Sequence, residues 1–319
     1  MPQPDHHRPA PVRTTGSAAE SPVRRRSSRL RLVPAEHPAR QAPKPLGITN
    51  DGPCQGIGLQ VADARHHIHV QGVTGVGKST WLANHVLAEA DAGRGVVLLD
   101  CQGDLARHVL DRLPRWVGDR LVILDPAETQ APPAWNVLAP LDPGETGRRD
   151  RETAQRDRET ARRDGETGRE WAAENVVGVF RRLYAAWWGP RMDDVLRAAC
   201  LTVVRRPGST VAEVVSVLTR PEFRRSILAT YGEPEGLDGF WEGFDALSPG
   251  QRNQVCGPVL SRLRSVLSRR FARDLLGTAR STIHLTDILD GGILIARLPK
   301  GEIGEHAAQL VGSLLLSGL

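Results

Sequence analysis

Along the chain, the pattern of apolar and polar positions changes character at about residue 48. Before it, scattered apolar residues sit among Pro, Arg and Ser, with "SPVRRRSSRLRLV" at the centre. That is too little apolar surface to offset ordering entropy, so residues 1–48 are expected to be a disordered tail. From His66 the pattern becomes regular. "HHIHV" predicts a short strand, a glycine-rich loop follows, and "STWLANHVLAEADAG" predicts a helix ended by Gly93. The continuous apolar runs "GVVLLD" (Gly95–Asp100) and "RLVILD" (Arg120–Asp125) read as buried strands, separated by the helical stretch "GDLARHVLDRLP". Strands alternating with helices at this spacing predict right-handed crossovers and a parallel sheet.

Residues 142–169 repeat with a period of seven ("DPGETGR", "RDRETAQ", "RDRETAR", "RDGETGR"). No position of the repeat is apolar, so it has no coiled-coil seam to bury. It predicts a mobile charged excursion, with Arg–Glu pairs able to support a transient helix. Residues 171–277 read as mostly helical. Thr210 and Glu213 form a capping box before "VAEVVSVLTR", and Pro258 is a candidate kink in the amphipathic run that starts at Ser248. "GGILIARLP" (Gly291–Pro299) returns to strand, and "GEHAAQLVGSLLLSGL" is a helix still apolar at its last residue. The expected class is therefore α/β. A disordered tail (1–48) precedes an αβ portion (49–141) and the charged insertion (142–169). A helical domain (170–280) then leads to a return to the αβ domain (281–319) that is expected to be incomplete.

Composition alters this picture in two places. Residues 1–48 carry nine basic and three acidic residues of a chain with formal charge +5, so the remainder is near neutral and the basic pI belongs to the tail. Lysine occurs only at Lys44, Lys78 and Lys300, against 39 arginines, so a lysine at a motif position carries information. Cys54, Cys101, Cys200 and Cys256 have no paired spacing, which argues against zinc or a disulfide framework and fits a cytoplasmic protein. No apolar run approaches the roughly 20 residues of a membrane span, and the N-terminus lacks a signal-peptide core. Any work at a membrane would be expected through partners.

The chemistry concentrates at Gly72–Ser79, "GVTGVGKS", which fits G-x-x-x-x-G-K-[ST] between an expected strand and an expected helix. Glycines allow backbone N–H groups to ring a β-phosphate at the positive end of the following helix. The nucleotide-binding set is Gly72, Thr74, Gly75, Val76, Gly77, Lys78, Ser79 and Thr80. Within it Lys78 reaches the β- and γ-phosphates of ATP, and Ser79 offers its hydroxyl to Mg²⁺. A GTPase base-recognition element N-K-x-D is not available from the other two lysines. "LSPGQR" (Leu247–Arg252) is close to an ABC-type signature, but it reads better as a helix start with Ser248 as cap and Pro249 in the first turn. No Asp-Glu dipeptide occurs in the chain, so the usual metal-and-water pair of a hydrolysing motor is missing. Asp100, at a strand end, is a weak candidate for the metal's water shell, with helix capping as the equal alternative.

Several stretches, in order, resemble the HerA/FtsK-like ATPases, especially actinobacterial relatives of the coupling proteins of type IV secretion (the TraD/TraG kind). They include "HHIHVQGVTGVGKST", "GRGVVLLDCQGDLARHVLDRLP", "PPAWNVL", "GPVLSRLRSVL" and "GGILIARLPKGEIGEHAAQLVGSLLLSGL". The resemblance, over about residues 45–319, implies a RecA-like P-loop NTPase interrupted by a helical domain. It also implies a ring, commonly a hexamer, that uses ATP to move DNA. The family more often has Asp-Pro-Lys-Gly-Asp where this chain has Asp-Cys-Gln-Gly-Asp at 100–104, which removes a cation. The family's Asp-Glu strand lies beyond the position of Leu319, so a C-terminally truncated motor is expected. The alternative is a nucleotide-binding module able to touch DNA, without turnover. Lys300 is a minor candidate for a phosphate or DNA contact, against a solvated loop lysine. "RRLYAAWWGPR" could stack on bases, although packing is the better reading of aromatics at helical spacing. His66, His67 and His69 are expected to be strand residues, not metal ligands.

Overall fold

The computed structural model describes Leu30, Leu32 and residues 37–50, 52–139 and 154–319. Most of the basic tail and residues 142–153 of the repeat lie outside the described residues. Along the chain come a one-turn helix α1 (Pro38–Gln41) and a hairpin of β1 (Lys44–Ile48) and β2 (Gly56–Leu59). Helix α2 (Lys78–Asp91), strand β3 (Val96–Asp100), helix α3 (Asp104–Leu110) and strand β4 (Leu121–Leu124) follow. The helical region comprises α4 (Ala154–Leu183), α5 (Pro190–Val204), α6 (Val211–Thr219), α7 (Pro221–Tyr231), α8 (Phe240–Ala246), α9 (Pro249–Leu267) and α10 (Arg270–Leu276). Helix α11 (Leu285–Leu289), strand β5 (Ile293–Arg297), α12 (Lys300–Ile303) and α13 (Glu305–Ser317) complete the fold.

Local chemistry accounts for the helix boundaries. The α6 capping box forms, with the Thr210 N–H donating to Glu213 Oε2 at 2.8 Å. Ser248 and Gln251 make the same reciprocal cap at α9, with Pro249 in the first turn, so "LSPGQR" is a helix start. Helix α9 continues through Pro258. Gly93 takes φ +79° just past the end of α2, where a left-handed residue ends a helix most easily.

The sheet has three parallel strands in the order β3–β5–β4. Every residue of the central strand is buried. Ile293 and Ile295 pack with α2 and α3 on one face, through Ala83, Ala90, Ala106 and Val109. Leu294 and Ala296 join the larger core on the other face, built from α13 and the helical region. Period-two alternation thus feeds two cores from one strand. Asn136 ties the αβ part to the helical part, its side-chain amide donating to Ser209 O (2.9 Å) and Ala279 O (3.1 Å). No helix among the described residues is long and apolar enough to cross a membrane.

Two expectations need correction, and a third narrows. The segment up to residue 48 was expected to be disordered throughout, yet Pro38–Ile48 is ordered as α1 and β1, and Leu30 packs on the main core. Buried polar groups explain this: Glu89 pairs with both Lys44 and Arg94, and Arg94 donates to the carbonyls of Ala39, Arg40 and Ala42. Second, "HHIHV" forms no strand. Its alternation has the β period, but no neighbouring strand supplies a hydrogen-bonding ladder. Third, of the two states expected for the charged repeat, residues 154–169 take the helical one as the first turns of α4, whose later turns are anchored by buried Ala173, Val176, Val177 and Phe180.

The amino edge of the sheet turns on Arg120, which is 2% exposed. Its guanidinium donates to Gly291 O (2.8 Å), Ala90 O (2.9 Å) and Arg94 O (2.9 Å), joining the end of α2 to the entries of β3 and β5. Burial lowers its pKa, with Arg40 adding to the effect. Arg120→Ala removes the side-chain donor that joins three carbonyls and should lower unfolding stability by about 3–5 kcal/mol in urea titrations. Unchanged stability would show that water replaces the guanidinium.

Candidate functional site

Helix α2 ends at the amino edge of the sheet, where Arg120 holds its last carbonyls. At 1.5 Å per residue its 14 residues span about 21 Å, which carries its N-terminus and the glycine loop toward the carboxyl edge. That is the side on which ligands bind in parallel α/β sheets.

The loop before α2 is built on left-handed glycines. Gly75 and Gly77 take φ +88° and +92°, a region where side chains are strained, and Gly77 is the N-cap of α2. A Cβ at Gly72 would stand 2.7 Å from Val76 Cγ2, so that glycine permits the loop's tight curl. Lys78 folds its ammonium back over the loop, donating to Gly72 O and Val73 O at 2.8 Å each. The cation is thereby held at the loop and not dispersed in solvent. Thr74, Val76, Ser79 and Thr80 are exposed around it. Among the described residues no three His, Cys, Asp or Glu side chains converge on a possible metal position. At the start of α2 the exposed Ser79 hydroxyl is a hard oxygen donor of the kind Mg²⁺ accepts alongside other oxygens.

At the carboxyl edge, the three strands end in Asp100, Arg297 and, one residue past β4, Asp125. Asp100 is committed to local structure: Oδ1 accepts from Gln102 N and Oδ2 from Ala106 N, both at 2.9 Å, at the start of α3. Burial would raise its pKa, but four backbone N–H groups outweigh that and hold the carboxyl below its ordinary value. Of the two roles open to Asp100 in the sequence, capping is the one the geometry fills. Arg297, 4% exposed, is the centre of the edge. Its Nε and Nη2 donate to Asp125 Oδ1 at 2.9 and 2.7 Å, and Nη1 and Nη2 donate to Glu302 Oε1 and Oε2 at 2.7 and 2.8 Å. The two carboxylates raise its pKa further. For Asp125, burial works upward but is outweighed by the Arg297 bond, which holds the carboxyl below its usual range. Gly103, at φ +95°, passes so close that a Cβ there would lie 3.2 Å from the arginine stem.

Arg297 and Glu302 were not legible as a site in the sequence. The available signal was an arginine closing the otherwise apolar run "ILIARLP", opposite strands that end in Asp. The other candidates stay apart. Lys300 donates its backbone N–H to Cys101 O (3.2 Å), while its half-exposed ammonium lies 3.7 Å from Glu305. In the aromatic stretch, Tyr184 packs on Phe180 and His306, and Trp188 donates to Asp193, whereas Trp187 is 74% exposed. His66, His67 and His69 lie exposed in the segment before the loop. All four cysteines are free.

Comparison with protein-family models, curated proteins and solved structures returns no match for this chain.

The depressed pKa of Asp100 sets a pH dependence. A carboxyl held low when folded contributes fully above its unfolded value of about 3.9, and that contribution is lost as pH falls through the folded value. Asp100→Asn should cost about 1–3 kcal/mol at pH 7 and make the acid limb of stability below about pH 4 shallower. Urea titrations from pH 3 to 7 test this, and parallel acid limbs would remove Asp100 from the account.

Proposed function

We propose that this chain is the ATP-binding portion of a RecA-like, ring-forming DNA translocase of the HerA/FtsK kind, related to the coupling proteins of conjugative DNA transfer. The observation that carries the reading is Lys78, one of three lysines in the chain. Its ammonium is held by two carbonyls of a left-handed glycine loop at the start of a 14-residue helix. In this reading the N–H groups of Gly75, Val76, Gly77, Lys78 and Ser79 face the β-phosphate, supported by the helix dipole. Lys78 would exchange its carbonyl partners for β- and γ-phosphate oxygens. Bound Mg²⁺ would neutralise phosphate charge, with Ser79 as its protein ligand and Thr80 beside it. DNA, a hexameric ring and a cytoplasmic location, with membrane attachment through partners, belong to the same proposal and rest on the family resemblance.

The second reading, a module that binds nucleotide without turnover, is favoured by a specific observation. Asp100 is engaged by backbone N–H groups, and Asp125 by Arg297 and the Ala127 N–H. A carboxylate so engaged is poorly placed to polarise water. For this chain alone we therefore propose ATP binding without hydrolysis.

Lys78→Ala should weaken ATP binding by about tenfold to a hundredfold, the worth of one charge-assisted contact to phosphate. Calorimetry on both proteins, alongside phosphate release with and without DNA, checks this. DNA-stimulated release that the substitution abolishes would restore hydrolysis to the chain and turn attention to Asp104, which is exposed at the start of α3. Equal ATP binding by both proteins would sink the nucleotide reading.

A further inference from the structure

In the helical region, α5, α8 and α9 leave an open groove of about 250 Å³ between them. Its floor is apolar, made by Val195, Phe240, Phe244, Leu247 and Val255. Val195 and Phe244 are buried, whereas Phe240, Leu247 and Val255 are only partly covered. Gly243 stands on the α8 wall, and a Cβ added there would meet nothing within 4 Å, so the wall is bare at that turn.

Two charges of opposite sign rim the groove. Arg191 and Asp194, three residues apart, share one face of the first turns of α5. Both are exposed, and among the described residues neither side chain has an ion-pair or hydrogen-bond partner. Their neighbour Asp193 turns toward α4 instead and is engaged by Arg181, Arg197 and the Trp188 indole. Trp187 belongs to the same patch. It is the most exposed of the chain's seven tryptophans. It precedes Arg191 by four positions, a reach of at most about 14 Å along the backbone.

We propose that this patch is where two copies of the chain associate. The Trp187 indole of each copy enters the groove of the other, and Arg191 of each pairs with Asp194 of the other. A two-fold contact needs one surface that complements itself, and here protrusion, hollow and both signs of charge lie together. The charges also choose the occupant. A partner of one charge sign would set like against like at one of the two rim residues, whereas a second copy satisfies both. A buried aromatic anchor inside a polar rim is the usual anatomy of a specific interface. The contact does not depend on the nucleotide reading. It also differs from a ring contact, in which each subunit meets its neighbours through two different patches.

Sedimentation equilibrium of the full chain without nucleotide, across the micromolar range, tests this and is expected to show a monomer–dimer equilibrium. Trp187→Ala removes the indole and Gly243→Leu fills the hollow. Each should weaken the dimer about a hundredfold, since the two-fold axis counts every substitution twice. Arg191→Glu and Asp194→Arg should each be monomeric alone, because like charges then face each other across the axis. Mixing those two variants should restore a dimer. All four positions are exposed, and thermal melts confirm that each variant is folded. A wild-type chain that stays monomeric throughout the range overturns the proposal. So does association that Trp187→Ala or Gly243→Leu leaves intact, and so do charge variants that fail to pair when mixed.

Discussion

The αβ part of this protein depends on one topological constraint: its central strand arrives last. Strands β3 and β4 are neighbours in sequence but make no ladder with each other, and both bond to β5, which enters from the far side of the helical region. Without β5 the two earlier strands have no hydrogen-bonding partner, and Ile293, Ile295, Leu294 and Ala296 are missing from both cores. Long-range parallel pairing is entropically expensive to nucleate. The helical region carries many of its contacts between successive helices. Across it, Asn136 and Ala134 are hydrogen-bonded to Ser281 and Thr282, the segment that leads into α11 and β5. Arg120 then closes the amino edge by hydrogen bonds to three carbonyls from three separate segments.

Much of the fold was legible because it rests on local signals. Unbroken apolar runs marked Val96–Asp100, Leu121–Leu124 and Ile293–Arg297, and the reciprocal caps at Thr210 and Ser248 marked helix starts. Illegible features depended on partners distant in sequence. Residues Pro38–Ile48 look like tail because their order comes from what they satisfy elsewhere, the buried pair Glu89–Arg94 and the indole of Trp81. "HHIHV" has the strand period, yet period alone does not create a ladder. The charged repeat lacks any apolar position of its own, and its helix is propagated from Trp171–Leu183, which does have a buried face. The turns at Gly75 and Gly77 and the helix after them were readable, since that conformation is written into the glycines themselves, whereas the strand expected before them did not form. The arginine fork at Arg297 was not readable, since its meaning lies in joining nearby Glu302 to Asp125, 172 residues away.

The site thereby separates two tasks. In the proposed reading, holding phosphate would draw N–H groups, a cation and a helix terminus from one contiguous stretch, Gly72–Thr80. Activating water needs a carboxylate with a free lone pair near the metal. At the carboxyl edge the strand-end acids instead serve as structural acceptors, Asp100 for the start of α3 and Asp125 for Arg297. The same depressed pKa values that make them good structural anchors make them poor bases, since a carboxylate stabilised by several donors has little affinity left for another proton.

The fork at Arg297 has a consequence for how the carboxyl edge would receive a ligand. One guanidinium grips the loop after β4 through Asp125 and the turn of α12 through Glu302, while the loop after β3 leans its Gly103 on the arginine's stem. Three segments that would otherwise wander independently are locked into a single rim. The conformational entropy of that rim is surrendered once, during folding. A molecule settling there does not have to order the loops itself, so more of its contact energy remains as affinity.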